Sequence, residues 1–335
     1  MNKKKSIKTK IASLLAGVLS IALLAGCSQS NTANSETKDE KVYKIGITQF
    51  ADHPSLDNCK NGFIAGLKDE GFEEGKNIEI ESVSAQADMN RVTQISQSFA
   101  NGNKDLVCGI ATPSAQSLYS LCYEKGIPVI FNAVSDPVEA KLAKSKTENM
   151  PGVTGVSDEL PVEDQLKLIR DVLPDAKKIG ILYTTSEANS ISTIKTYKEL
   201  ASKYGFEIVD KGITKQAEIP QVLDVLLSQV DCISNLTDNT VVAVLGVVLD
   251  KANAQKIPVF GSEEEQVKNG CIASAGLDYF NLGKQTGVIA ARVLKGEDIS
   301  KINYETVAET KYTINENTAK ALGIEIPESV KALVK

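Results

Sequence analysis

The amino-acid sequence predicts an α/β protein made of two similar lobes, each a doubly wound parallel sheet, with a ligand cleft between them. Three observations support this prediction. Apolar, strand-like runs alternate with amphipathic helical patterns along residues 43–262. Three short landmarks occur twice in this region and in the same order. Loops rich in Ser, Thr, Asn, Asp and Glu follow most of the predicted strands.

Strands and helices alternate from the start of this region. Several of the predicted strands are continuously apolar, which is typical of a parallel sheet covered by helices on both faces. The expected order is strand, helix, strand, helix, strand, helix, strand, at residues 43–50, 55–72, 77–85, 89–102, 105–112, 114–126 and 127–134.

The same alternation begins again in the second half, at residues 177–185, 189–206, 207–213, 218–230, 231–237, 241–256 and 257–262. The motif Lys-Ile-Gly-Ile starts both halves, at 44–47 and 178–181. A Gly-Phe pair follows the motif's glycine by 25 residues in both halves, and Ile-Pro-Val begins at Ile127 and at Ile257. Three landmarks at nearly constant offset indicate two lobes of the same architecture.

A cleft between the two sheets is the expected binding site. Ligands of open parallel sheets bind at the carboxyl ends of the strands, and small ligands are often held between domains. Polar loops follow the predicted strands at 48–58, 111–117, 132–140, 183–190, 236–242 and 261–267. Most lead into a helix, whose N-terminus presents free N–H groups and partial positive charge to a carboxylate. Helix capping is the alternative role for each of these side chains.

The N-terminal residues have the pattern of an export signal. A basic stretch containing five Lys precedes a 16-residue apolar run, 11–26, which is short for a membrane-spanning helix. The run ends in Leu-Ala-Gly-Cys, which resembles the lipobox of bacterial lipoproteins and marks Cys27 as the acylated residue. An ordinary signal peptide with an incidental Cys is the alternative. Residues 28–41 are polar, without apolar periodicity, and predict a flexible tether.

Charge and cysteine content exclude several classes of function. Without the first 26 residues the chain has 32 basic and 43 acidic side chains, a net charge of −11 that disfavours nucleic-acid binding. Five cysteines remain after Cys27, and no CxxC spacing indicates zinc or a redox pair. Buried free thiols are expected, with one disulfide as the alternative, among Cys59, Cys108, Cys122, Cys232 and Cys271.

Enzymatic motifs are absent from the sequence. It contains no HExxH, no GxSxG, no phosphate-binding GxxxxGK[ST] and no GxGxxG after a strand. A single histidine, His53, cannot supply paired histidine ligands to a metal. His53 is expected to be an exposed loop residue, with ligand contact as the alternative. The sequence therefore predicts a binding protein that needs no metal and no cofactor.

The region from Tyr43 to Lys335 resembles the substrate-binding lipoproteins of ABC transporters, in the subfamily with tryptophan- and phenylalanine-binding members. The stretches that carry the resemblance are GITQFADHPSLDNCKNGF, ATPSAQSL, IPVIFNAVSDPVEAKL, GVTGVSD, ILYTTSEANS, LTDNTVV, IPVFGSEEEQVKNGCIAS and LDYFNLGKQTG. The resemblance implies a periplasmic-binding-protein type I-like fold with three hinge crossovers. It also implies a small ligand, with an amino acid, and an aromatic one in particular, as the favoured class.

The resemblance also implies a division of the chain. The signal peptide is expected at 1–26 and the tether at 27–41. Lobe one is expected to comprise 42–156 plus 280–305, and lobe two 157–279 plus 306–335. The helix at 279–296 is expected to return to lobe one, and the segment 311–324 to pack on lobe two.

Fourteen residues are the candidates for ligand binding. Thr112, Ser114, Asn189 and Thr237 are expected to donate to the ligand carboxylate. Asp136, Asp238 and Asp278 are candidates for the ammonium group, with a simple turn as the alternative for Asp136. Apolar walls are expected from Phe50, Leu56, Phe131, Tyr183 and Tyr279, with core packing as the alternative for most of these rings. The full set is Phe50, Ser55, Leu56, Thr112, Ser114, Asn132, Asp136, Tyr183, Glu187, Asn189, Thr237, Asp238, Asn239 and Asp278.

The expected function is extracytoplasmic capture of a small ligand by lobe closure and its delivery to a permease. The protein would be a monomer, anchored by lipid to the outer face of the cell membrane and partnered by ABC permease and ATPase subunits. A ligand-binding sensor lipoprotein for a membrane receptor is one alternative, and an exported cleft enzyme is another.

Overall fold

A computed structural model of the protein describes residues 41–334, which belong to one compact unit beginning at Lys41. Its strands are β1 (Tyr43–Gln49), β2 (Ile78–Ser84), β3 (Leu106–Ile110), β4 (Val129–Asn132), β5 (Ala143–Ser145), β6 (Glu148–Asn149), β7 (Val153–Ser157), β8 (Lys178–Thr184), β9 (Glu207–Ile213), β10 (Cys232–Ser234), β11 (Val259–Phe260), β12 (Ala273–Gly276), β13 (Glu305–Thr306) and β14 (Lys311–Ile314). Its α-helices are α1 (Pro54–Asp69), α2 (Met89–Asn101), α3 (Thr112–Cys122), α4 (Val162–Val172), α5 (Ala188–Leu200), α6 (Ile219–Leu227), α7 (Asn239–Val242), α8 (Leu245–Ala254), α9 (Glu264–Lys268), α10 (Tyr279–Leu294), α11 (Glu316–Leu322) and α12 (Glu328–Lys331).

Two parallel sheets confirm the predicted α/β class. The first sheet has six strands in the order β13-β7-β4-β3-β1-β2, and every pair in it is parallel. The second has four strands in the order β11-β10-β8-β9, again all parallel. An antiparallel pair, β12 with β14, adjoins the second sheet through the bond from Ile272 N to Val259 O. Each parallel sheet is doubly wound. Strands that follow its first strand in the chain, β1 or β8, lie on both sides of that strand in the sheet.

The repeated landmarks occupy equivalent places in the two sheets. The motif Lys-Ile-Gly-Ile lies in β1 and in β8, and each of these strands pairs with its next two strands in the chain. The motif's glycine permits close packing: a Cβ on Gly46 would lie 2.7 Å from the Phe99 ring, and one on Gly180 would lie 2.6 Å from Ile233. The sequence repeat therefore reflects a repeated packing requirement.

The hydrophobic residues form separate cores around the two sheets. One core draws its buried residues from 45–156 and 277–304, and it surrounds the six-stranded sheet, which we call lobe one. Two adjoining cores draw theirs from 162–275 and 319–330 around the four-stranded sheet, which we call lobe two. The chain thus passes between the lobes after β7, after β12 and after β13. As expected, α10 packs in lobe one, and β14 and α11 pack in lobe two.

The packing of α1 against α10 brings the third segment of the chain back to lobe one. Glycines face each other along this contact. A Cβ on Gly66 would lie 2.1 Å from the carbonyl oxygen of Lys284, and one on Gly287 would lie 2.2 Å from that of Phe63. Only glycine permits this approach of the two backbones. The contact positions Ser55 and Tyr279, near the starts of the two helices, at the same end of lobe one.

Several elements differ from the sequence prediction. The helix expected over 241–256 is two helices, α7 and α8, and the break falls at Ala243 and Val244. The strand β7 and the helix α4 were not predicted. Among residues 41–334 all five cysteines are buried and free, as expected. The predicted signal peptide, tether and lipidated Cys27 lie outside the described residues. No helix within 41–334 has the length and apolarity that crossing a bilayer requires.

Candidate functional site

A cavity lies between the lobes at the carboxyl ends of the strands. The space between its walls, including its opening to solvent, is about 330 Å³. Its lining residues come from both lobes and from the first crossover: His53, Ser55, Leu56, Ala111, Thr112, Ala133, Ser135, Asp158, Asn189, Thr237, Asn239, Val242, Glu263, Gln266 and Tyr279.

Six of the fourteen predicted residues lie on the wall of this cavity. They are Ser55, Leu56, Thr112, Asn189, Thr237 and Asn239. Tyr279, expected in the apolar wall, is also there. The loops after β1, β3, β8 and β10 therefore converge on one space. The loops at 111–117 and 236–242 face each other across it, as the cleft prediction requires.

The start of α3 presents two hydroxyl groups that have no hydrogen-bond partner. Thr112 is the first residue of the helix, and both Thr112 Oγ1 and Ser114 Oγ are buried without a partner among the described residues. Ala111, which precedes the helix, has φ of +75°, a backbone conformation that costs a non-glycine residue ~1–3 kcal/mol. Unpartnered hydroxyls at a helix N-terminus form an environment that stabilises an anion.

Two buried carboxyl groups line the cavity as well. Asp158, just after β7, accepts hydrogen bonds from Ser135 Oγ at 2.9 Å and Tyr279 Oη at 2.6 Å. Burial raises the pKa of Asp158, and the two hydrogen bonds oppose that rise. Glu263 caps α9 by accepting from the N–H groups of Glu265 and Gln266, and burial raises its pKa to about 7. A cationic group beside these carboxyls would offset the cost of burying their charge.

The amide of Asn189 is oriented by its neighbours. Its Nδ2 donates to Glu187 Oε2 at 3.2 Å and to the Thr237 carbonyl oxygen at 3.1 Å, and both partners are acceptors. Its Oδ1 is buried without a partner among the described residues. The expectation that Asn189 donates to a ligand carboxylate therefore does not fit the geometry, because the available atom is an acceptor.

Glu187 stabilises residues that form or adjoin the cavity wall. It accepts hydrogen bonds from the N–H and side chain of Asn239 and from the N–H and hydroxyl of Thr240. Burial and the nearby charge of Asp238 raise the pKa of Glu187 to about 7. Glu187 thus fixes the start of α7, and it does not line the cavity.

The three acids predicted for the ammonium group all lie off the cavity wall. Asp238 caps α7 and accepts from Thr184 N, Thr184 Oγ1 and Ser190 Oγ, so donors of lobe two occupy its carboxylate. Asp136 caps the turn that follows it and accepts from Ser192 Oγ at 2.6 Å. Asp278 caps α10 and pairs with Lys311. The acids that line the cavity are Asp158 and Glu263.

The remaining predicted residues also lie away from the wall. Phe50 is buried in the lobe-one core and borders a second, polar groove. Asn132 donates to the Cys59 carbonyl oxygen inside lobe one. Tyr183 borders a groove on α5. Phe131 is core. Ser114, in the first turn of α3, is buried and is not part of the cavity wall.

His53 is buried, so the expectation of an exposed loop residue was wrong. It is 9% exposed, precedes α1 and lines the cavity. Burial lowers the pKa of His53 to about 4, and the neighbouring Asn239 amide and the carboxylates of Asp57 and Asp52 only partly oppose this. Other wall residues that the candidate set did not include are Ala111, Ala133, Ser135, Asp158, Val242, Glu263 and Gln266. Glu263 and Ser135 lie in polar loops that the sequence did mark.

Direct hydrogen bonds join the two lobes. Ser55 Oγ donates to Glu263 Oε1 at 2.9 Å, Asn58 Nδ2 to Glu265 Oε1 at 3.2 Å, and Ser192 Oγ to Asp136 Oδ2. In this arrangement of the lobes the cavity has room for roughly one water molecule, so a larger ligand enters and is accommodated only when the lobes move apart. No cluster of His, Cys, Asp or Glu suited to a metal ion occurs within residues 41–334.

Two α/β lobes around a polar cavity, joined by three crossovers, define a bilobal solute-binding protein. The chain belongs to the ABC transporter substrate binding protein family, whose signature it matches over residues 44–335. Substrate-binding proteins of ABC importers are extracytoplasmic. The chain is similar to the tyrosine-binding protein of Clostridioides difficile strain R20291, with 40% identity over 326 residues that cover 95% of this chain and 94% of that protein.

Two solved structures differ in how closely their shape matches that of the present chain. The ABC domain from Streptococcus pneumonia in complex with L-Trp is 35% identical, with a TM-score of 0.85 over 88% of this chain and 99% of that one. A ligand-free, open substrate-binding protein with adhesive properties from Clostridium difficile is 40% identical, but its TM-score is 0.65 over 86% and 97% of the two chains. Of these two, the relative closer in sequence is thus the less similar in shape. The present structure is more similar in shape to the L-Trp complex than to the ligand-free, open protein.

Proposed function

We propose that this protein is the lipid-anchored, extracytoplasmic binding component of an ABC importer and that it captures an aromatic α-amino acid between its lobes. The observation that carries the proposal is one cavity lined by an unpartnered hydroxyl at the start of α3 and by two buried carboxyls. An α-amino acid carries the complementary pair of charges. The names of the two relatives, which concern tyrosine and L-Trp, support the same ligand class.

The carboxylate of the ligand binds at the start of α3. Thr112 donates its hydroxyl, and the first turn of the helix adds N–H groups that have no partner within the helix. The positive end of the helix dipole favours the anion by ~0.3–1 kcal/mol or more in a buried site. Thr112 thereby gains the acceptor that it lacks in the protein itself.

The ammonium group binds beside Asp158 and Glu263. Both carboxyls are buried, and both have their pKa raised by burial, so a nearby cation stabilises their ionised forms. Asn189 Oδ1, which has no partner among the described residues, is a third acceptor for the same group. Leu56, Ala111 and Val242 offer an apolar wall to the side chain.

The protein binds its ligand by closing its lobes around it, and it leaves the ligand chemically unchanged. The lobes separate to admit the ligand and then form the bonds from Ser55 to Glu263 and from Ser192 to Asp136. The closed form presents the outer surfaces of both lobes to a permease. Cys27, acylated at the start of the mature chain, holds the protein near the membrane as a monomer.

A thermal-shift panel of the twenty amino acids tests the proposal. Ligand at a hundredfold excess over its Kd stabilises the folded state by ~2.7 kcal/mol, so aromatic amino acids should raise the melting temperature by several degrees. Tyramine, which lacks the carboxylate, and 3-(4-hydroxyphenyl)propionate, which lacks the amine, are matched controls and should shift it far less. If no amino acid shifts the transition, the proposed ligand class is wrong. Mass spectrometry of the recovered ligand should show it unaltered, and a changed ligand would favour an enzyme.

A further inference from the structure

His53 is a polar side chain on the cavity wall of lobe one that the proposed binding of the headgroup leaves unused, and unlike Ser55, Ser135 and Tyr279 it has no protein hydrogen bond of normal geometry. It lies at the end of the loop that joins β1 to α1, and it is 9% exposed. Neither Nδ1 nor Nε2 makes a hydrogen bond of normal geometry with the described residues, although the Asn239 side chain lies close enough to raise the pKa of the ring. Burying such atoms without partners costs ~1–3 kcal/mol per group. A buried ring with two unpartnered nitrogens therefore points to a ligand atom as its partner.

The ring is neutral under physiological conditions. Burial lowers the pKa of His53 to about 4, and Asn239, Asp57 and Asp52 oppose this only in part. A neutral imidazole has one donor and one acceptor nitrogen. It is therefore suited to a neutral hydrogen-bonding group, and it lacks the charge that would favour a carboxylate.

The position of His53 places it away from Asp158. In the six-stranded sheet β1, which leads to His53, lies three strands from β7, which leads to Asp158. At ~4.8 Å between neighbouring strands, the two strands leave the sheet about 14 Å apart. The charge of Asp158 acts on Tyr279, whereas the charges that act on His53 are those of Asp57 and Asp52. His53 is therefore on the side of the cavity away from Asp158, while Glu263, bonded to Ser55, lies between them.

The start of α3 lies between these two sides, since β3 lies between β1 and β4 in the sheet. A ligand whose carboxylate is at Thr112 and whose ammonium group is toward Asp158 extends its side chain toward β1. The wall there combines the apolar Leu56 and Val242 with the His53 ring. An aromatic side chain that ends in a hydrogen-bonding atom matches this combination.

We propose that His53 determines specificity by hydrogen bonding to the far end of the ligand's aromatic side chain, so that the site selects a ring carrying an O–H or N–H group over a plain phenyl ring. The inference rests on the proposed function, because it assumes that the headgroup binds at Thr112, Asp158 and Glu263. L-Tyrosine and L-tryptophan are the amino acids that satisfy it, and L-phenylalanine is the one that it disfavours.

Calorimetric titration of the protein and of two variants with L-tyrosine and L-phenylalanine tests this. The unaltered protein should bind L-tyrosine roughly ten- to a hundredfold more tightly than L-phenylalanine, since a site built for a hydroxyl rejects a ligand that lacks it. His53→Phe should reduce the ratio to within about threefold by weakening L-tyrosine more than L-phenylalanine. His53→Gln, which retains a donor and an acceptor, should keep part of the preference.

A second readout uses the fact that His53 is the only histidine in the chain. Its ring ¹⁵N signals in an NMR spectrum are therefore assigned without ambiguity. L-Tyrosine should shift one ring nitrogen by the amount typical of a new hydrogen bond, while L-phenylalanine should leave it near its starting value. This measurement does not depend on whether either variant folds.

Two results would overturn the inference. One is an equal loss of affinity for both ligands in His53→Phe, which would place His53 at the headgroup or at lobe closure. The other is a ring signal that responds identically to both ligands. If no amino acid binds the unaltered protein, the proposed function itself fails, and this outcome is distinct from either of the other two.

Discussion

The hydroxyl of Ser55 donates a 2.9 Å hydrogen bond to Oε1 of Glu263, and this bond joins the first turn of α1 in lobe one to the residue that caps α9 in lobe two. Both side chains are buried and both line the cavity. Because the partners belong to different lobes, the bond exists only when the lobes are together. It therefore stabilises the closed form relative to the open form.

Ser55→Ala should weaken ligand binding by destabilising the closed form. A hydrogen bond to an ionisable acceptor contributes ~1.5–3 kcal/mol, so we expect an increase in Kd of roughly ten- to a hundredfold. The change should appear mainly in the dissociation rate, because the ligand leaves when the lobes open. Surface plasmon resonance with a suitable amino acid on the immobilised protein measures both rates.

Ser228→Ala is the matched control, since Ser228 is exposed and donates to a carbonyl of its own helix terminus. It should leave both rates unchanged. An unaltered dissociation rate in Ser55→Ala would show that this bond does not contribute to closure.

Thr112→Val should lower the affinity for an amino acid by about tenfold, whereas Ser114→Ala, at a buried hydroxyl off the cavity wall, should change it little. Each substitution removes a hydroxyl that has no other partner among the described residues, so the protein itself loses little stability. The affinity for tyramine should not change, because tyramine has no carboxylate. Calorimetry with both ligands gives the comparison. Equal losses for L-tyrosine and tyramine would indicate that the start of α3 does not bind the carboxylate.

The affinity should depend on pH through Glu263. Burial raises the pKa of Glu263 in the free protein to about 7. A bound ammonium group favours the ionised form and lowers that pKa, so binding releases a proton near neutral pH. Affinity for L-tyrosine should therefore rise from pH 5.5 to pH 8, as measured by calorimetry. His53, with a pKa of about 4, stays neutral throughout this range.

Stability of the free protein should change in the opposite direction. The pKa values of Glu263 and Glu187 are both raised from 4.5 to about 7. Their contribution to the free energy of unfolding is therefore fully present below about pH 4.5 and is lost as pH rises through about 7.

Glu263→Gln should flatten the pH dependence of L-tyrosine affinity. A dependence that persists unchanged in this variant would assign it to another group.

Gly66→Ala should destabilise the protein because it separates α1 from α10. The new Cβ would lie 2.1 Å from the Lys284 carbonyl oxygen and 3.0 Å from the Cα of Gly287, and neither backbone can yield locally. We expect a loss of ~1–3 kcal/mol or more, as for overpacked cores, measured by urea denaturation. Gly246→Ala is the control, because Gly246 is exposed in α8 and a Cβ there meets nothing within 4 Å. It should be neutral or stabilising by up to ~1 kcal/mol. Equal stability of both variants would contradict the close contact.

The fold was predictable because its periodic patterns are local. The repeated Lys-Ile-Gly-Ile motif correctly predicted the strands β1 and β8. The apolar runs around Cys108 and Cys232 likewise predicted β3 and β10. The strand β7 was missed because its five residues, two of them Thr and Gly, form a short run without a strong pattern. The break between α7 and α8 was missed because the sequence there is continuously apolar.

The site was predictable only in part because capping and ligand binding use the same side chains. Asp238 and Glu263 both cap helices that follow strands of lobe two, and nothing local distinguishes them. Donors from Thr184 and Ser190 occupy Asp238, whereas Glu263 faces Ser55 across the cleft. Those neighbours come from distant parts of the chain. The burial of His53 depends likewise on lobe two covering the first loop.

The central claim is that the two lobes capture an aromatic amino acid and release it unchanged, and isothermal titration with L-tyrosine tests it most directly. The account predicts saturable binding of one molecule per chain, weakened about tenfold in Thr112→Val, with L-tyrosine recovered intact after denaturation. Absence of binding by L-tyrosine, L-tryptophan and L-phenylalanine alike, at millimolar concentration, would contradict it.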